Sequence, residues 1–156
     1  MEQELINLLI AVRQKWGNET VEAIKKKLSE GAQTFTGELE QSIGFDAPDN
    51  LDGNYIFDMV DYGSYLDQGV QGFESNFTSQ FRYAGNWKGM AQALKPWADS
   101  KGLNPFAVAW SMQQKGLEPR RFFNSVIESR IDLLGEQLTV AMADYLNDMV
   151  NKQQRT

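Results

Sequence analysis

Histidine and cysteine are both absent from this chain. That removes the usual general base, the usual nitrogen ligand for a metal and every thiolate. The chemistry left to it runs through carboxylates, hydroxyls and cations. Asp58, Asp61 and Asp67 follow one another closely, and three carboxylates are the donor type a hard cation takes. Alternation along an extended segment sends Asp58 and Asp61 to opposite faces, however, and Asp67 lies two helical turns further on. Glu128, Asp132 and Glu136 recur every fourth residue of a helical pattern. Like charges at that spacing repel mildly unless Arg120, Arg121 or Arg130 offset them, which describes a solvated or subunit-facing ridge. No glycine-rich loop ends in Gly-Lys-Ser/Thr, so the chain lacks that phosphate cradle. The expectation is therefore a protein without catalytic residues, metal or cofactor; a hydrolase working through Asp58 and Asp61 is the enzymatic alternative.

The totals suit one folded domain. A length of 156 residues supports a single core, and 42% hydrophobic with 23% charged residues lies within the globular range. The formal net charge of −6 argues against wrapping DNA, because affinity for phosphate rests on Lys and Arg. An acidic surface can still face DNA as a wall to which it does not stick. No apolar run approaches the roughly 20 residues of a membrane span. Met1-Glu2-Gln3-Glu4 is acidic where a secretory signal is basic, so no export is expected.

The elements that must position these residues can be read in order. Glu2 to Glu30 has helical periodicity, with Leu5, Leu9, Val12 and Trp16 on one face and Val21, Ile24 and Leu28 resuming it. Gly17-Asn18 between the two halves reads as either a kink or a break. Lys25-Lys26-Lys27 reads as a solvated face near the helix C-terminus, with Gly31 as its cap. Thr36 is placed to cap a short helical turn. A strand is expected through Ile43-Gly44-Phe45 and another within Asn54 to Val60, where both sides are apolar enough to be covered. Tyr62 to Gly69 reads as a short helix. Val70 to Asn86 is a loop carrying Phe73, Phe77, Phe81 and Tyr83, which either orders against a partner or folds over its own core; Thr78 to Tyr83 fits a short edge strand.

Trp87 to Gly116 reads as two helices. Pro96 kinks or restarts the first, Asn104-Pro105 starts the second as N-cap and N1, and Gly116 ends it. Phe106, Ala109, Trp110 and Gln113 share a face, with Phe106 and Trp110 as packing anchors. Leu117 to Phe123 opens the longest helix, Pro119 sitting in its first turn. Beyond it Phe123, Ile127, Ile131, Leu134, Leu138 and Met142 continue one apolar face. A run of about 30 residues spans roughly 45 Å, which overhangs a domain of this size and points to packing on another subunit. Residues 151–156 carry no apolar side chain and are expected to fray.

Three of these stretches, in this order, resemble the tail-completion and head–tail joining (neck) proteins of tailed bacteriophages. Thr36-Gly37-Glu38-Leu39-Glu40-Gln41-Ser42-Ile43 is similar to the family's Thr-Gly-x-Leu-x-x-Ser-Ile ahead of its first strand. Tyr62 to Gly69 is similar to its Tyr-Ala-x-Tyr-Val-Glu-x-Gly, with Gly63 for the Ala and Asp67 for the Glu. Trp97, Lys101-Gly102-Leu103 and Gly116 to Phe123 resemble its Trp…Lys-Gly-Leu…Gly-Ile-x-Pro-Arg-Pro-Phe-Phe segment, with Arg121 in place of the second Pro. The matching stretch covers about residues 30 to 130.

The resemblance implies a small antiparallel β-sheet flanked by an N-terminal helix and a long C-terminal helix; with the helical-hairpin insertion read over 87–116, the expectation is an α+β fold in a single domain 1–156. It implies a minor virion structural protein made in the host bacterial cytoplasm. Its partners would be copies of itself in a ring, portal or adaptor proteins and tail proteins. DNA would enter only as a strand passing through the channel, whose acidic lining would keep phosphate from sticking.

On this reading the candidate subunit contacts are Phe73, Phe77, Phe81 and Tyr83 on the loop, together with the outer face of the last helix. Arg120 and Arg121 join them, pairing either with Asp67 of the same chain or with a neighbour's carboxylates. The competing reading is a cytoplasmic helical adaptor or regulator that binds a partner or DNA through residues 87–116; Lys115 is the only cation on its second helix.

Overall fold

The computed structural model describes residues 2–30, 37–83 and 87–155; the expected caps at Gly31 and Thr36 lie outside them. Two long helices form the frame. Helix α1 (Glu2–Glu30) is continuous, and Gly17 does not break it. A Cβ at Gly17 would stand 1.9 Å from Phe45 Cε1, so the glycine is there to let a phenyl ring lie on the helix backbone. Helix α6 (Asn124–Gln154) has 31 residues and runs through the segment expected to fray. The two pack against each other antiparallel: Trp16 and Thr20 of α1 meet Arg130 of α6, and Leu8 and Val12 share a groove with Val140 and Tyr145.

Against α1 lies a small antiparallel sheet, β1 (Gly44–Asp46) paired with β2 (Ile56–Asp58), in the register Gly44 with Asp58, Phe45 with Phe57 and Asp46 with Ile56. The helix α2 (Glu38–Ser42) leads into β1. Only one face of the sheet is covered. Phe45 and Phe57 pack at 4.8 Å between centroids and, with Tyr55, surround the Trp16 ring edge-on at 5.7–6.3 Å. Ile56, on the other face, is 53% exposed, so the expectation of a strand covered on both sides is corrected.

The core gathers the C-terminal half of α1 (Val21, Ile24, Leu28), Leu39 of α2, Ile43, Leu66 of α3 (Tyr62–Gln68), and Phe122 and Phe123. Phe122 is 1% exposed and is among the largest side chains shut off from water. Burying such a ring contributes about 1.5–3 kcal/mol over leaving it in solvent, which is why the chain ahead of α6 is pinned here.

Helices α4 (Trp87–Ser100) and α5 (Pro105–Lys115) make an antiparallel hairpin that packs chiefly on itself, with Ala91, Ala98 and Ala109 buried. Small side chains let the two backbones approach closely. Pro96 sits inside α4 without ending it, leaving one intrahelical bond unmade. Asn104 caps α5 as expected, its side chain accepting from Phe106 N at 2.9 Å and Ala107 N at 3.4 Å.

Candidate subunit-contact surfaces

The segment Leu117 to Phe123 is an extended strap rather than a first helical turn. Pro119 lies five residues ahead of α6 and cannot be its N1 residue. Leu117 pairs with Val70 in both directions, at 2.8 Å each, and the backbone N–H groups of Arg120 and Arg121 donate to the carbonyls of Leu66 and Asp67 at 3.0 Å. The strap therefore lies along the end of α3. Arg121 takes φ 51° there, a left-handed conformation that a second proline, the residue the resemblance leads one to expect, could not adopt.

Asp67 then starts the long helix. Its Oδ1 accepts from Phe123 N at 2.8 Å and its Oδ2 from Asn124 N at 3.4 Å, and the residue is 3% exposed. A carboxylate at a helix N-terminus satisfies orphan N–H groups and meets the positive end of the dipole. Of the two pairings open to Arg120 and Arg121, the one with the Asp67 side chain of the same chain does not form; it is their backbones that contact this corner. Among the described residues neither guanidinium makes an ion pair. Asp67, Arg121 and Glu128 instead line a shallow depression with Gln68, Ser79 and Gln80.

The aromatic loop is mostly an internal feature. Phe81 packs on Tyr65 of α3 at 4.5 Å between centroids. Phe77 lies against Gly116, where a Cβ would stand 3.0 Å from its Cζ. Tyr83 is half-buried, and desolvation pushes its phenol above the usual value of 10.0. The loop is stitched down by Gln71 N on Phe81 O at 2.8 Å, Ser79 Oγ on Gly69 O at 2.7 Å, and Phe73 N and Glu74 N on the carbonyls of Gln113 and Gln114. Gly72 makes this seating possible: a Cβ there would meet Gly116 N at 2.4 Å and Gln114 O at 2.6 Å. Of the four aromatic candidates only Phe73, 68% exposed, is presented outward. The edge strand expected over Thr78 to Tyr83 reduces to one parallel bridge, Gln71 with Arg82, because Ser79 turns the chain by accepting from Phe81 N.

Two apolar surfaces remain open. Every residue of α6 keeps some access to solvent, and Ile131, Val140, Met142, Leu146 and Val150 range from 43% to 58% exposed. Along its inner side α6 forms with α1 a groove of about 610 Å³ lined by Leu8, Val12, Leu133, Val140 and Tyr145. The second surface is on the hairpin, where Leu103, Phe106 and Trp110 are 46%, 51% and 54% exposed. Phe106 and Trp110 are thus corrected from packing anchors to surface residues; Ala109 and Gln113 are the buried members of that face.

One structural residue escapes the reading of the sequence. Arg13 is 4% exposed, donates to the carbonyls of Asn50 and Gly53 at 2.9 and 3.0 Å, and stacks its guanidinium 4.3 Å from the Tyr55 ring centre. It holds the β1–β2 connection onto α1. A lone basic residue among apolar positions of a helix was the only signal.

The three carboxylates considered for a cation are dispersed: Asp67 caps α6, while Asp58 and Asp61 are exposed. Among the described residues no group of three acidic side chains is placed to hold a metal ion, and no helix is long and apolar enough to cross a membrane. Comparison with protein-family models, with curated proteins and with solved structures finds no match to this chain.

Proposed function

We propose that this chain is a structural subunit of a tailed-bacteriophage virion, closing with copies of itself into a ring at the head–tail junction through which DNA passes. The observation that carries this reading is the apolar surface left open on α6 and on the hairpin. Monomeric proteins rarely leave large contiguous apolar patches in water, and such surfaces mark interaction sites. The order of the three family-like stretches supports the same reading, and so do the motif residues' places in the fold. Leu39, Ile43, Leu66, Phe122 and Phe123 all belong to one core, so the motifs specify the frame and leave the long helix free for contacts.

Mass spectrometry of purified virions tests the reading, together with electron microscopy of particles lacking the gene. The expected result is the chain in the virion, and filled heads separated from tails in its absence. A chain missing from virions, with joined particles forming without it, would overturn the proposal.

The adaptor reading keeps one favourable observation, a hairpin that packs mainly on itself and carries four lysines against one aspartate over residues 87–116. Salt-sensitive binding of duplex DNA in a gel shift would favour it.

A further inference from the structure

The two open apolar surfaces carry opposite charge. Residues 131–150 of α6 contain Asp132, Glu136, Asp144 and Asp148 and no Lys or Arg. The facing stretch of α1 adds Glu2 and Glu4, and Lys15 is the cation lining the groove. The hairpin, by contrast, bears Lys88, Lys95, Lys101 and Lys115; Asp99 is its one carboxylate and pairs with Lys95 at 2.7 Å, so the hairpin keeps a net positive charge. Its tip combines the exposed Lys101 with Leu103 and Phe106, and Trp110 follows one turn along α5. An apolar wedge fringed by lysines and an apolar groove fringed by carboxylates occur on one molecule, in a chain whose net charge is −6.

From this we infer that the α4–α5 hairpin of one copy docks into the α1–α6 groove of the next. The inference rests on the ring reading and names its interface. The occupant is a second copy of this chain because the complementary surface is already present on it. Electrostatic complementarity fixes register and suppresses wrong pairings, while the apolar centre supplies affinity. Size agrees as well: α5 has 11 residues, about 16 Å at 1.5 Å per residue, and fits within the exposed span of α6.

The test uses the full chain, whose lack of cysteine gives a clean background. Leu103→Cys is introduced in one batch and Val140→Cys in another; the two are mixed and treated with a short bis-maleimide. The mixed adduct is expected to dominate over either same-site adduct. In parallel, sedimentation velocity compares the wild type with Lys95→Glu/Lys101→Glu and with Asp144→Lys/Asp148→Lys. Each double variant should weaken self-association about tenfold, the combination of the two should restore it, and added salt should weaken the wild type. Circular dichroism confirms that the variants stay folded. A chain that remains monomeric at millimolar concentration overturns the inference. So does self-association indifferent to both charge reversals, or adducts formed only between like sites. If the chain is nevertheless found in virions, only this interface fails and the ring reading stands; if it is missing from them, the ring reading fails by itself.

Discussion

Replacing Asp67 by alanine should unseat the start of α6, and the size of the effect can be worked from the corner it occupies. The carboxylate is 3% exposed and accepts from Phe123 N at 2.8 Å and Asn124 N at 3.4 Å. A hydrogen bond to a charged group contributes about 1.5–3 kcal/mol net. The shorter contact takes that value in full, and the longer one, near the distance limit, takes a fraction. Loss of a helix N-cap costs about 1 kcal/mol and up to about 2, but this describes the same event and is not added. With two N–H groups left unsatisfied, the expected loss is about 3 kcal/mol.

For a chain of 156 residues a loss of that size lowers Tm by about 6–12 °C, at about 2–4 °C per kcal/mol. Asp67→Asn retains one acceptor and loses the charge, so it should cost about half as much. Asp61→Ala is the control: Asp61 stands at the N-terminus of α3, is exposed and makes no side-chain cap, so its loss should stay within about 0.5 kcal/mol. Urea unfolding followed by tryptophan fluorescence reads all three, since Trp16 lies buried in the aromatic cluster. Hydrogen exchange at Phe123 N should accelerate in Asp67→Ala. A loss below about 1 kcal/mol, or one no larger than that of Asp61→Ala, would refute the capping argument.

Three further substitutions probe the frame. Gly17→Ala should destabilise by about 1–2 kcal/mol in thermal unfolding: the gain of roughly 1 kcal/mol in helix propensity is outweighed by overpacking against the Phe45 ring. Gly72→Ala should cost about 2 kcal/mol or more, because its Cβ meets backbone atoms of Gln114 and Gly116 that cannot move aside, and limited proteolysis should then cut the 70–83 loop. Tyr83→Phe should matter only in alkali. Burial raises the Tyr83 phenol above 10.0, so above pH 10 the unfolded chain releases a proton that the folded one still holds. Stability present below that pH falls as pH rises towards the folded value, by at most about 1.4 kcal/mol per pH unit. The phenylalanine variant should show a shallower alkaline limb in pH-dependent unfolding and match the wild type at neutral pH.

The α+β architecture was legible because its signals are local. Helical periodicity marked α1 and α6, Asn104-Pro105 marked the start of α5, and Gly116 marked its end. The misreadings arose where a distant residue decides. Gly17 looks like a breaker until Phe45 is laid on it. Pro119 looks like a helix start because nothing nearby reveals that Asp67, more than fifty residues earlier, caps the helix further on. Whether Phe77, Phe81 and Tyr83 meet a partner or their own core stays open in the sequence, because the carbonyls and rings that hold the loop come from α3 and α5. Periodicity shows that a face is apolar; it does not show whether that face is covered by its own chain, which is why Phe106 and Trp110 look like packing anchors in the sequence and lie at the surface in the fold.

The charge on the two open surfaces also limits the symmetry of any self-assembly. A two-fold dimer places the same patch against itself. Groove against groove would face the carboxylates of residues 131–150 with a second such set, and hairpin against hairpin would oppose lysines. Both juxtapositions are repulsive at low salt, whereas hairpin against groove is attractive. A contact of that kind is heterologous: each copy offers one surface and leaves the other vacant, so association does not stop at two. It closes as a ring when the rotation per step divides a full turn, and runs on as a filament otherwise. Sedimentation at rising concentration should therefore show species beyond the dimer, or a single closed oligomer, with little dimer accumulating between. A stable dimer that grows no further, or a dimer strengthened by added salt, would mean that the like-charged surfaces pair with themselves and that the hairpin does not seek the groove.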